Sequence, residues 1–102
     1  MPGYKTAWLL WPASDSTTDG EIDFPEGDLD GTISAFMHHQ GGGSQDAYTT
    51  TGVYTDWHVA VIEWGPVNCV FLLDDVEVGH STAVIPNTPM HWIIQTETQL
   101  SF

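Results

Sequence analysis

The sequence predicts an all-β protein, a two-sheet sandwich, and three observations carry that prediction. Short stretches rich in β-branched and aromatic residues recur along the chain, with Gly, Pro, Asp and Ser between them. No stretch has the 3.6-residue period of an amphipathic helix. Several stretches are apolar at successive positions, as in Thr6–Trp11 and Val59–Trp64, which fits strands covered on both faces or a sheet with an aromatic-lined groove.

Taken in order, the first predicted strand is Tyr4–Trp11, followed by a polar loop over Ser14–Gly20. Glu21–Glu26 and Thr32–His39 follow as strands, and Gln40–Ala47, with its Gly41-Gly42-Gly43 run, reads as a second polar loop. Trp57–Trp64 and Val67–Leu73 flank a Gly65-Pro66 turn, and Asp74-Asp75 forms a tight turn into Val76–His80. Met90–Thr98 is the last predicted strand. Cys69 lies in the apolar run 67–73, where a buried thiol is the expected state.

At 102 residues the chain suits one small domain. It carries 14 Asp plus Glu against one Lys and no Arg, a formal net charge of −13. Its 12% aromatic content excludes a disordered acidic tail. Lys5 alone cannot neutralise phosphates, so nucleic acid and anionic membranes are not expected partners. A single cysteine excludes a disulfide framework and a cysteine zinc cluster. No apolar run approaches the ~20 residues of a helical membrane span, and the first residues lack the basic and apolar segments of a signal peptide.

The chemistry concentrates in Gly20-Glu21-Ile22-Asp23-Phe24-Pro25-Glu26-Gly27. In a regular strand Glu21 and Asp23 share a face, and Glu26 points the other way. One extra residue, a β-bulge, returns Glu26 to the shared face, and Pro25 stands where that bulge is needed. Three converging acids repel, so at least one holds a proton at neutral pH. Paired roles of that kind serve retaining glycoside hydrolysis, in which one carboxylate attacks and a protonated partner ~5–5.5 Å away protonates the leaving oxygen. Four effective strand positions separate the two Cα atoms by ~13 Å, leaving the side chains to close the gap over an intervening sugar. A solvated acidic strand edge is the alternative reading of the same run.

Gly20-Glu21-Ile22-Asp23-Phe24-Pro25-Glu26 closely resembles the E-I-D-x-x-E signature of glycoside hydrolase family 16, in the bulged version of laminarinases and agarases. Pro2–Pro12 is similar to the family's apolar strand before the catalytic one, and Trp57–Pro66 to its F-H-x-Y-x-x-E-W-x-P stretch. Val70–Gly79 and Pro89–Ile94 resemble the hairpin and late strand that follow, the latter ending in the polar Gln95. The resemblance implies a concanavalin-like jelly roll and a retaining endo-β-glycosidase acting on a β-1,3- or mixed-linkage β-glucan. It implies Glu21 as nucleophile, Asp23 as assisting acid and Glu26 as general acid/base. It also implies a neutral polysaccharide partner and a secreted protein; no cofactor is expected, and the ligands of a structural calcium found in the family are expected to lie largely outside this chain.

For substrate binding the candidates are Trp8, Trp11, His39 and Trp92, since a flat indole matches the apolar face of a pyranose. His39-Gln40-Gly41 resembles the family's cleft-lining H-x-G element; His38 and His39 are adjacent, so only one of them faces the cleft. The family often has Trp two positions after the Ala of its first strand, where this chain has Leu9. All-β sandwiches commonly need ~200–250 residues, so residues 1–102 are expected to form an incomplete jelly roll without its opening strands and closing strand. Unpaired edges of such a piece favour self-association, and an inactive fragment that binds glycans weakly is the alternative function. Glu26–Gly31 imitates the start of an EF-hand, but Met37 stands at the twelfth position. His58, His80 and His91 have no metal-ligand spacing.

Overall fold

A computed structural model of the chain describes residues 2–98. Its strands are β1 (Tyr4–Pro12), β2 (Glu21–Asp28), β3 (Thr32–His38), β4 (Gln45–Val53), β5 (Ala60–Trp64), β6 (Cys69–Leu73), β7 (Val76–Ser81) and β8 (Met90–Thr98). A short 3-10 turn, Thr17–Asp19, lies between β1 and β2. All ladders are antiparallel, in a five-stranded sheet ordered β4-β3-β2-β1-β8 and a three-stranded sheet ordered β5-β6-β7. The all-β, jelly-roll type of sandwich is what the sequence predicts.

Several boundaries differ from the sequence reading. The loop expected over Gln40–Ala47 stops early, because Gln45 already opens β4. This strand is polar and alternates exposed with half-buried residues at a sheet edge, so its signal is β-branched Thr49-Thr50-Thr51 beside Tyr48, not apolar periodicity. Trp57–Val59 precedes β5 because the segment serves as a clasp: His58 bonds the Asp74 carboxylate at 2.6 Å and the Val53 carbonyl at 2.9 Å. β6 starts at Cys69 because the Gly65 amide donates to the Asn68 carbonyl and closes the turn over 65–68. Asp74 and Asp75 both have positive φ, 52° and 67°, as a two-residue hairpin turn matching the sheet twist demands.

The core lies between β2 and β3 of the large sheet and β6 of the small one. Ile22, Phe24, Ile33, Ala35 and Met37 face Cys69, Phe71 and Leu73, and Ile85 closes one end. Phe24 meets Phe71 edge to face at 5.4 Å between ring centres, and Tyr48 packs against Phe71 from β4. Burying each of the large side chains contributes ~1.5–3 kcal/mol. Gly79 leaves room for the Tyr48 ring, which a Cβ at that position would strike. Burial pushes the Cys69 thiol up to about 12, so it is a packed, unreactive group.

The two layers are unequal. β5 packs over β2 and β7 over β4, which leaves the inner faces of β1 and β8 only partly covered. Trp8, Leu10 and Trp92 there line an apolar groove of about 600 Å³ with Ala60–Ile62. Trp92 is 55% and Ile94 54% exposed.

Candidate active site

The register of β2 against its neighbours places the carboxylates. On β3, Asp23 pairs with Phe36 and Glu26 with Ser34, so three steps on β2 match two on β3. β1 sees the same extra residue, with Leu9 opposite Asp23 and Ala7 opposite Glu26. The bulge thus falls at Phe24-Pro25, where the proline's missing amide costs no ladder bond. Ile22 and Phe24 point into the core; Glu21, Asp23 and Glu26 all point to the opposite, outer face of the large sheet.

Cross-strand rows complete that face. Gln95, Ala7, Glu26 and Ser34 form one row, and Ile93, Leu9, Asp23 and Phe36 the next. His91 and Trp11 pair in the third, which runs on to Glu21 and His38. A recess of about 250 Å³ beside Glu21 is lined by Leu9, Trp11, Ile93 and Gln95. A smaller one beside Glu26 is lined by Lys5, Ala7, Gln95 and Glu97.

Asp23 is 1% exposed, and its Oδ2 lies 2.9 Å from the His38 Nε2. The same nitrogen lies 3.9 Å from the Glu21 Oε2. The Asp23 Oδ1 is buried with no amide or hydroxyl partner, so the adjoining Glu21 carboxyl is the group that can hydrogen-bond to Asp23. Burial pushes the Glu21 carboxyl up to about 8, reinforced by its hydrogen bond with Asp23 and by the Asp23 charge, and opposed by His38. Burial and then the Glu21 charge raise Glu26 as well, against His38, Lys5 and a hydrogen bond with Asp23. The hydrogen bond to Asp23 raises His38 despite its partial burial. The cluster therefore holds protons that isolated carboxyls would release, and Glu21 as well as Glu26 carries the upward shift.

The structure brings together Glu21, Asp23, Glu26 and Trp11. It does not bring Trp8, Trp92 or His39 to them. Trp8 alternates with Leu9 and faces the inner groove, where it lies 6.1 Å from Trp92 between ring centres. Trp92 is opposite Leu10 and shares that inner face. His39 follows His38 and so turns the other way, its Nε2 3.1 Å from the Asp46 Oδ2. His38, opposite Glu21, is the histidine at the carboxylates. Gln95, between the two recesses, is a further polar group on this face, marked in the sequence as the polar end of an apolar strand.

Glu21, Asp23 and His38 offer ligand atoms all within 4.8 Å of one another, the one such set among the described residues. It coincides with the carboxylate cluster, whose mixed oxygen and nitrogen donors suit a borderline divalent cation. Among curated proteins no sequence match was found. The sequence profile of Glycosyl hydrolases family 16 matches residues 1–96 of the 102. With that match over nearly the whole chain, and three acids on one face of a bulged strand, the chain belongs to family 16 of the glycosyl hydrolases.

Proposed function

We propose that this face performs retaining, endo-acting hydrolysis of a neutral β-1,3- or mixed-linkage β-glucan. The observation that carries the reading is the bulge at Phe24-Pro25, which puts Glu21, Asp23 and Glu26 on one side of β2. Glu21 attacks the anomeric carbon while Glu26 gives its proton to the departing glycosidic oxygen. Glu26 then takes a proton from water, whose oxygen displaces Glu21 and regenerates both groups. The proton that Glu21 sheds before attacking passes to Asp23 and returns to Glu21 once water has released it, and His38 holds Asp23 in place. Trp11 and Leu9 supply an apolar floor beside Glu21, and Gln95 an amide for sugar hydroxyls. The one Lys on this face, Lys5, is paired with Glu97 at 3.1 Å, so a sulfated or uronic polysaccharide finds no free counter-charge. Hydrolysis of laminarin and lichenan is expected, with the β-anomer formed first by ¹H NMR. First formation of the α-anomer, or release from laminarin undiminished in Glu21→Gln, overturns the reading. Secretion goes with it, since a polysaccharide is met outside the cell; detection in medium rather than lysate checks this.

A second reading has its own observation, the partly covered inner face around Trp92 and Ile94. In it the chain binds glycans without turnover or associates with itself through that face. Sedimentation at several concentrations tests this: a single monomeric species together with quantitative laminarin hydrolysis excludes it.

A further inference from the structure

Trp11 is the aromatic residue lining the recess beside Glu21, and its orientation is controlled from outside the strand. Trp11 is the penultimate residue of β1, and its indole Nε1 donates to the Asp15 Oδ1 at 2.8 Å. Asp15 has φ 61°, in the left-handed region that asparagine and aspartate enter more readily than other side chains. The Asp15 amide donates to the Pro12 carbonyl at 3.0 Å and the Ala13 amide to the Pro89 carbonyl at 2.9 Å, so the turn carrying Asp15 is tied to β1 and to the approach to β8. A half-buried tryptophan at a strand end would otherwise sample several rotamers.

We propose that Asp15 is a positioning residue that fixes the Trp11 indole as the stacking platform for the sugar unit next to Glu21. The bond occupies the only polar edge of the indole and leaves its faces free for the C–H face of a neutral pyranose. The platform belongs to Trp11 and not to the position of Leu9, one same-face step of ~6.8 Å back along β1. It therefore acts on the sugar at the Glu21 end of the row, not on the one over Asp23. Holding the ring in advance spares the complex the cost of ordering one side chain, which corresponds to a roughly 3- to 10-fold effect on affinity.

This inference rests on the proposed glycan site, and binding separates the two. Affinity for a β-1,3-gluco-oligosaccharide is measured by titration calorimetry on the full chain, and KM and kcat on laminarin. Asp15→Gly, which relaxes the backbone and removes the bond, is expected to raise Kd and KM about 3- to 10-fold with kcat held. Asp15→Asn, which keeps both the left-handed turn and an amide oxygen acceptor, is expected to stay near the parent. In a Trp11→Phe background, which keeps a ring but has no N–H, Asp15→Gly should add nothing. An unchanged Kd in Asp15→Gly, an additive effect on Trp11→Phe, or no oligosaccharide binding by the parent overturns the inference. Binding that follows this pattern without hydrolysis overturns the catalytic reading and leaves Asp15 in its role.

Discussion

The His38 imidazole bonds the Asp23 carboxylate at 2.9 Å across the β2–β3 ladder and stands 3.9 Å from Glu21. One side chain from the neighbouring strand therefore touches the buried acid and faces the carboxyl proposed to attack. Its protonated form favours ionised carboxylates on both sides, lowering Glu21 and Glu26 against the burial that raises them. The protons on Glu21 and His38 are therefore linked rather than independent.

Replacing His38 with Gln keeps a hydrogen-bond donor for Asp23 and removes the charge. Glu21 and Glu26 then hold their protons to higher pH, and the whole bell-shaped profile of kcat/KM moves toward alkaline pH. A profile that stays in place or moves toward acid contradicts the coupling.

Glu21 bears on stability through the same shift. Its carboxyl is raised from 4.5 to about 8 in the folded protein. The folded state therefore binds a proton the unfolded state has released, and stability is lost as pH rises from about 4.5 to 8. Glu21→Gln has no such proton to lose. It should match the parent near pH 4 and exceed it progressively up to pH 8, by on the order of 1–3 kcal/mol after allowing for partial exposure and sharing with Asp23. Thermal unfolding across that range reads this as a gap of several degrees, and a gap that is constant with pH or opens toward acid contradicts it.

Gly79 tests the packing of the two layers. A methyl group there meets the Tyr48 ring, which is backed by Phe71. The overpacking costs about 1–3 kcal/mol, more than the ~0.5–1 kcal/mol a strand gains when Gly becomes Ala. Urea unfolding of Gly79→Ala should show a net loss of stability; a variant as stable as the parent means that Tyr48 is free to move aside.

The site was legible where one strand suffices to argue it. Period-two counting from Glu21 and the position of Pro25 locate the bulge, and the register against β1 and β3 has it there. The Asp74-Asp75 turn is readable for the same reason, since only local backbone chemistry decides it. What depends on pairing was not legible. Trp8 and Trp11 stand on opposite faces of β1 by alternation, but which face holds the acids follows from Leu9 lying opposite Asp23. His38 rather than His39 meets the cluster because β3 aligns His38 with Glu21. β4 has no apolar signal in the sequence because an exposed edge strand needs none.

The division of labour between Glu21 and Glu26 is tested most directly by azide trapping on an aryl β-glucoside whose leaving group departs without acid help. In Glu21→Ala, azide enters from the face the missing carboxylate has vacated, so the account predicts the α-glycosyl azide. In Glu26→Ala the glycosyl-enzyme still forms on Glu21, and azide then displaces it to give the β-glycosyl azide. A β-azide from Glu21→Ala, or an α-azide from Glu26→Ala, would contradict the assignment of nucleophile and acid.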